Sequence, residues 1–154
     1  MSLTLDDVLA QEATIQLKHF NHETAWQLGC ALKQAAEQRG AAVAIEVFGF
    51  GQVLFQYAMP GTAADKFDWV RRKRNSVLKY NHSTYYLSLY NAQKQREFEA
   101  QLHVDANEYC GHGGSFPIRI QGSGLVGALT VSGLPQEEDH QLVADALQNV
   151  LSQQ

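Results

Sequence analysis

The apolar positions of this chain switch between two periods, one helical and one strand-like. Leu5, Val8, Leu9 and Ile15 form a narrow helical stripe that predicts a first helix over Leu3 to Lys18, with Thr4 as its cap and Asp6-Asp7 at the positive end of its dipole. Phe20-Asn21 is a break. Ala25, Leu28, Gly29, Leu32, Ala35 and Ala36 repeat at three and four residues, which predicts a second helix over His22 to Arg39, stopped by Gly40. Ala41 to Phe48 and Gln52 to Ala58 then read as paired strands joined at Gly49-Phe50-Gly51. Glu46, the one charge in the first of these strands, is placed on its less buried face. After a turn at Met59-Pro60-Gly61-Thr62, Phe67, Val70, Val77 and Leu78 mark a third helix over Ala63 to Tyr80. Asn81-His82 interrupts, and Ser83 caps a fourth helix reaching to about Phe98. Asp105-Ala106-Asn107-Glu108 carries a capping-box pattern for one further helical turn.

The stretch His112 to Gly133, HGGSFPIRIQGSGLVGALTVSG, is the centre of the pattern. Ser115 to Gln121 alternates, with Phe116, Ile118 and Ile120 on one face, as a half-buried strand does. Leu125 to Val131 is apolar on both faces and predicts a covered central strand. Gly122-Ser123-Gly124 joins the two as a hairpin. Glycines at 122, 124, 127 and 133 leave little side-chain bulk, which suits either a tight sheet or a ligand against the backbone. Pro135 opens a last helix whose buried stripe is Leu142, Val143, Ala146, Leu147 and Val150. Strands arriving as hairpins between helices predict an α+β fold, a largely antiparallel sheet covered by helices in two or three layers.

Composition narrows the class. A chain of 154 residues with 45% hydrophobic and 18% charged residues fits one globular domain over 1–154. A net charge of −4 argues against a nucleic-acid partner, and no apolar run is long enough to span a membrane. The N-terminus lacks a signal-peptide pattern, so the expected compartment is the cytoplasm. Cys30 and Cys110 form no spaced motif and read as small, buried or half-buried thiols.

Three clusters carry candidate chemistry. His112, before the glycine turn, suits an iron or metal ligand or a proton carrier if a pocket forms there, and a hydrogen bond to a loop carbonyl if none does. Arg71, Lys73 and Arg74 suit a carboxylate or phosphate. Arg71 and Arg74 fall on the apolar face of the third helix, with Arg72 and Lys73 pointing elsewhere. A buried Arg74 needs an anionic partner: a ligand, Glu46 or a neighbouring subunit. His82, Tyr85, Tyr86 and Tyr90 suit either a flat ligand or a core edge or interface. Asn21-His22 reads as a cap, so His19 and His22 are not taken as a metal pair, and no metal site is assigned. H-E-x-x-H, C-x-x-C, P-loop and G-x-S-x-G motifs are absent, and Ser115 has no base in view.

Two segments, FQYAMPGTAADKFDWVRRKRNSV at 55–77 and GGSFPIRIQGSGLVGALTVSG at 113–133, together resemble the GlcG/HbpS-like family, whose domain is labelled haem-degrading. Pro60-Gly61-Thr62 stands at the family's turn, Lys73 at the lysine of its helix motif, and Ser132-Gly133 at its closing pair. The runs FNHET at 20–24 and HGGSFPIRI followed by VSGLPQEEDH resemble more closely the branch called uncharacterised protein family 0303. Phe116 stands as an insertion before Pro117, and Arg74-Asn75-Ser76-Val77 replaces the family's small-residue stretch. The resemblance implies a profilin-like antiparallel sheet flanked by helices and assembled into homo-oligomers.

The leading expectation is a cytoplasmic, oligomeric small-molecule-binding protein. Its ligand would be haem or another anionic flat molecule, held between the central hairpin and the third helix. Arg71, Lys73, Arg74, His82, Tyr86, His112, Gly113, Gly114 and Ser115 are its candidate binding residues. A non-catalytic adaptor that binds a protein partner, and an enzyme acting on a small organic acid with His112 as acid–base group, are the alternatives. No reaction or cofactor is assigned beyond haem as the family's suggestion.

Overall fold

Residues 2–154 are described by the computed structural model. Helix α1 spans Leu5–Thr14 and opens on a capping box in which Thr4 and Asp7 exchange bonds to each other's backbone. Helix α2, His22–Gln38, opens on the same device between Asn21 and Thr24. Strands β1 (Ala44–Gly49) and β2 (Gln52–Ala58) follow, then α3 (Asp65–Tyr80) and α4 (Thr84–Gln93). After a short 3-10 turn at Phe98–Ala100 come β3 (Ser115–Ile120), β4 (Gly124–Ser132) and α5 (Gln136–Ser152).

The sheet is antiparallel throughout, in the order β2-β1-β4-β3. Its register sorts the side chains. Ile45, Val47, Phe116, Ile118, Leu129 and Val131 join Leu28, Leu32, Val143 and Leu147 of α2 and α5 in the main core. Alternate positions turn to the other face, which α3 covers along β1, β4 and β3. The result is the α+β, helix-flanked sheet expected from the pattern. Each fully buried Leu, Ile or Phe in it contributes about 1.5–3 kcal/mol. No helix of the described residues is long and apolar enough to cross a membrane.

Two helices are shorter than their stripes predict. α1 stops at Thr14 instead of running to Lys18. Beyond it the chain straightens, and Leu17 forms a parallel bridge with Ile120 on the outer edge of β3. The Leu17 N–H donates to the Arg119 carbonyl at 2.8 Å, and its own carbonyl accepts from Gln121 at 2.8 Å. Pairing with an open strand edge satisfies those groups and leaves Leu17 only 1% exposed, which a continued helix would not do. α4 ends at Gln93 instead of near Phe98. Asn91 diverts the backbone: its amide donates to the Leu87 carbonyl, and its oxygen accepts from Arg96. The chain then folds back so that Phe98 packs on Leu87 and Val104. The 105–108 segment is a turn in which the Asp105 side chain accepts from Asn107. Cys110 is buried as expected, but Cys30 is exposed, because its position on α2 turns away from the sheet.

Candidate functional site

Lys66, Trp69 and Lys73 are spaced three and four residues apart on α3 and therefore share one face. With His112, Gly113, Ser132, Gly133, Leu134, Gln136 and Asp139 they line an open cavity of about 270 Å³, between α3, the start of β3, the end of β4 and the start of α5. Of the four hairpin glycines only Gly133 lines it; Gly122 and Gly124 form the distant turn, and Gly127 serves close packing against the Phe48 carbonyl.

A buried ion pair forms its foot. Lys73 Nζ stands 3.2 Å from Asp139 Oδ2, and the two side chains are 4% and 1% exposed. Lys73 also donates to the Val131 carbonyl at 3.1 Å. Asp139 accepts from Gly133 N at 3.3 Å and Leu134 N at 3.0 Å, which fixes the exit of β4 onto α5. Burial pushes the Lys73 ammonium down from its ordinary value, with the Asp139 charge opposing. Burial likewise pushes the Asp139 carboxyl up, with Lys73 and the two backbone N–H groups opposing. With Lys66 also on the wall, two ammonium groups face one carboxylate, so the cavity favours an anion.

His112 reaches the cavity through a stitched loop. Ser76 donates to the Cys110 carbonyl at 2.8 Å and accepts from Cys110 N at 3.0 Å. Glu99 accepts from Gly111 N at 2.6 Å, and its oxygen lies 3.4 Å from His112 Nε2. Gly113 N donates to the Gln136 side chain at 3.0 Å. The His112 ring meets the Trp69 ring edge-on, with centroids 5.4 Å apart, and stays about half exposed. Its charged neighbour is thus Glu99 rather than a loop carbonyl. His112 and Gln136 also border a second cavity of about 270 Å³ that contains Arg96 and Glu99.

Of the nine expected residues, Lys73, His112 and Gly113 line the main cavity, and Gly114 supplies the backbone beside Lys73. Val70 and Val77 of α3 are buried as expected, but the buried face is wider than the apolar stripe and includes Lys73, which was expected to point elsewhere. Arg71 is half-buried and ties Asp68, Glu108 and the Asn107 carbonyl together, holding the loop that carries His112. Arg74 is paired with Glu46, Nε to Oε1 at 2.9 Å, and Glu46 is 1% exposed rather than on a wet face. Burial forces that pairing, since β1 is the inner neighbour of β2 and α3 covers it. Ser115 lies inside the sheet with its hydroxyl 2.8 Å from Thr130 Oγ1.

His82 and Tyr86 belong to a separate place. Their rings stack at 3.8 Å, Tyr90 continues the stack, and His82 Nδ1 lies 2.8 Å from Glu12. Glu12 also accepts from Ser83 and Arg119, which anchors α1. Tyr85 leaves that cluster and packs against His140. Gly133 is one of the glycines whose pattern suits a ligand against the backbone; the cavity residues missed in the sequence were Lys66, Trp69, Ser132, Leu134, Gln136 and Asp139. Lys66-Trp69-Lys73 was legible as a second helical stripe. Asp139 read as dipole complement, and nothing local distinguished it from Glu137 and Glu138. Among the described residues no group of three or more His, Cys, Asp or Glu converges as a metal site.

A helix-covered antiparallel sheet, with a lysine–aspartate pair at the foot of a polar cavity, is the class these features define. The chain belongs to the HbpS-like family: residues 20–148 match the family described as haem degrading protein HbpS-like. It is 55% identical to a UPF0303 protein of Psychromonas ingrahamii over 96% of this chain and 93% of that one. Among solved structures, the Ybr137w protein is 29% identical and superposes with a TM-score of 0.87, covering 96% of this chain and 89% of the other. A PduOC:heme complex, 19% identical, shares the fold at a TM-score of 0.72 over 84% of this chain and 93% of its own.

Proposed function

We propose that this protein is an oligomeric binder of a small molecule bearing an acidic group, taken into the cavity between α3 and the β3–β4 hairpin. The convergence of Lys66, Lys73 and His112 on one cavity carries the reading, because the sole carboxylate on its wall, Asp139, is already paired. Trp69 and Leu134 add the apolar surface that small-molecule sites combine with a few placed polar groups. Ligand pockets usually run from about 300 to 1,000 Å³, so a cavity near 270 Å³ takes a small organic acid whole. A haem macrocycle does not fit inside it; one chain offers haem a place for a propionate-bearing edge, with Lys66 and His112 as partners.

The family description and the heme-bound neighbour make haemin the first probe. Absorbance titration of the wild type and His112→Ala tests it. A saturable Soret shift at one site per chain, lost in the variant, is the expected result for haem. A weak, non-saturating shift common to both proteins removes haem and leaves small carboxylates, which thermal-shift measurements with and without Lys66→Ala then rank.

Assembly with further copies is supported by the two sheet edges. Leu17 covers the β3 edge, whereas the β2 edge, seven residues without a charge or proline, is bare. Around it Trp26, Phe50 and Val53 are exposed. A two-fold pairing matches residue i of one strand with residue j of the other and j with i, so a strand with no charge anywhere meets its copy without repulsion in any register. Free thiols at Cys30 and Cys110 support a reducing compartment, the cytoplasm.

A further inference from the structure

We propose that Lys73 is a carbonyl-capturing amine, which forms an imine with a small 2-oxo acid held in the cavity; this rests on the acid-binding reading above. Lys73 is 3% exposed, yet it belongs to the cavity wall. Two of its three N–H directions are taken, by the Val131 carbonyl at 3.1 Å and Asp139 at 3.2 Å. That leaves one direction for a ligand.

Gly114 lets the β3 backbone close on Lys73 and its two partners without displacing the amine. A Cβ at this position would stand 2.6 Å from Lys73 Nζ, and the backbone there has φ +140°, which other residues rarely adopt. Asp139 is the matching proton acceptor, held in place by two backbone N–H groups so that it cannot swing away with the lysine. Burial disfavours both charges of the pair, which lowers the cost of passing the ammonium proton across their hydrogen bond. Lysine amines desolvated in this way are the ones that act as Schiff-base nucleophiles. Lys66 offers the charge for the carboxylate of the 2-oxo acid, which sets its adjacent carbonyl toward the foot of the cavity.

The step balances without an oxidant or reductant. Lys73 gives a proton to Asp139, and the freed nitrogen pair attacks the carbonyl carbon. The carbonyl oxygen takes up a proton, giving a carbinolamine. Asp139, having given the lysine proton to that oxygen, takes the extra proton from the nitrogen and passes it to the hydroxyl, which leaves as water as the C=N bond forms, and the protonated imine releases its last proton to solvent. Amine plus carbonyl yields imine plus water.

The test is reductive trapping of the full chain with pyruvate and cyanoborohydride, followed by intact-mass and peptide mass spectrometry. The expected result is one reduced pyruvyl group per chain, mapped to Lys73, formed faster than on any other lysine. It is expected to be absent from Lys73→Arg and retained in Lys66→Arg at a higher pyruvate concentration. Mapping in the wild-type protein does not depend on the variants folding. Adducts on Lys66, or spread over surface lysines at equal rates, overturn the proposal. Calorimetry with pyruvate separates the two readings. Saturable binding without an adduct at Lys73 leaves the acid-binding cavity standing and removes the imine. No binding and no adduct removes both for this class of acid.

Discussion

His140 shows how a single side chain sets a pH limit. It is fully buried between Tyr85 and Phe116, Nε2 lies 2.7 Å from Gln11 Oε1, and Nδ1 has no partner. The neutral ring therefore donates from Nε2 and leaves an acceptor at Nδ1, which is less costly to bury than a charge. Burial lowers its pKa from 6.5 to about 4, against the pull of Glu12 and Glu137. Above pH 6.5 both folded and unfolded states hold it neutral. As pH falls through that value the unfolded chain takes up a proton that the folded chain refuses, so stability falls until the folded pKa near 4 is reached. The loss assigned to this residue is about 3 kcal/mol. Urea midpoints between pH 7 and 4 for the wild type and His140→Leu measure it: the wild type is expected to lose that much more than the variant. The same scale explains which site residues were legible. His112, Gly113 and Lys73 stand in or beside recognisable motifs. Asp139 became a partner of Lys73 through a contact spanning 66 residues, which no local pattern announces.

Elements were legible where their stripe agreed with their packing. α2 carries a regular apolar repeat and both halves of a capping box, and it begins at His22 as read. α1 and α4 carry weak stripes, and distant partners cut them short: the β3 edge for α1, the Phe98 cluster for α4. Gly29 in α2 is a place where packing overrides propensity. Alanine is the better helix former by about 1 kcal/mol, yet a Cβ here would sit inside contact distance of the Phe55 ring on β2. Overpacking of this kind costs about 1–3 kcal/mol. Gly29→Ala is therefore expected to lower the thermal midpoint despite its helix preference, whereas Gly29→Ala combined with Phe55→Leu regains part of the loss. Calorimetric melts of the two proteins check this. A second measure of the same helix is Asn21→Ala, which removes the cap on Thr24 N and is expected to cost about 1 kcal/mol in urea unfolding.

At the scale of the whole molecule, the hairpin spacing was enough to give an antiparallel sheet with helices on it, because the β1–β2 and β3–β4 pairs are local in sequence. The central β1–β4 contact was not legible, since it joins residues 78 to 88 positions apart by a register that only the shared core selects. The bare β2 edge carries the prediction at this scale. Val53→Lys places a charge at an exposed position of that strand, where a two-fold pairing would draw two such charges into the seam between copies. Sedimentation of the variant is expected to show smaller assemblies than the wild type; an unchanged size distribution would mean that β2 is not where copies meet. The anchoring of α1 bears on how the chain is made. Leu3 bonds to Glu137, Gln11 to His140 and Gln141, and Glu12 to His82, Ser83 and Arg119. Because α1 precedes its partners on α5 by 129 to 134 residues, translation at about 5–20 residues per second makes the helix several seconds or more before those partners exist. During that interval a protease or a chaperone meets an undocked helix, and its docking reports that α5 has been made and folded.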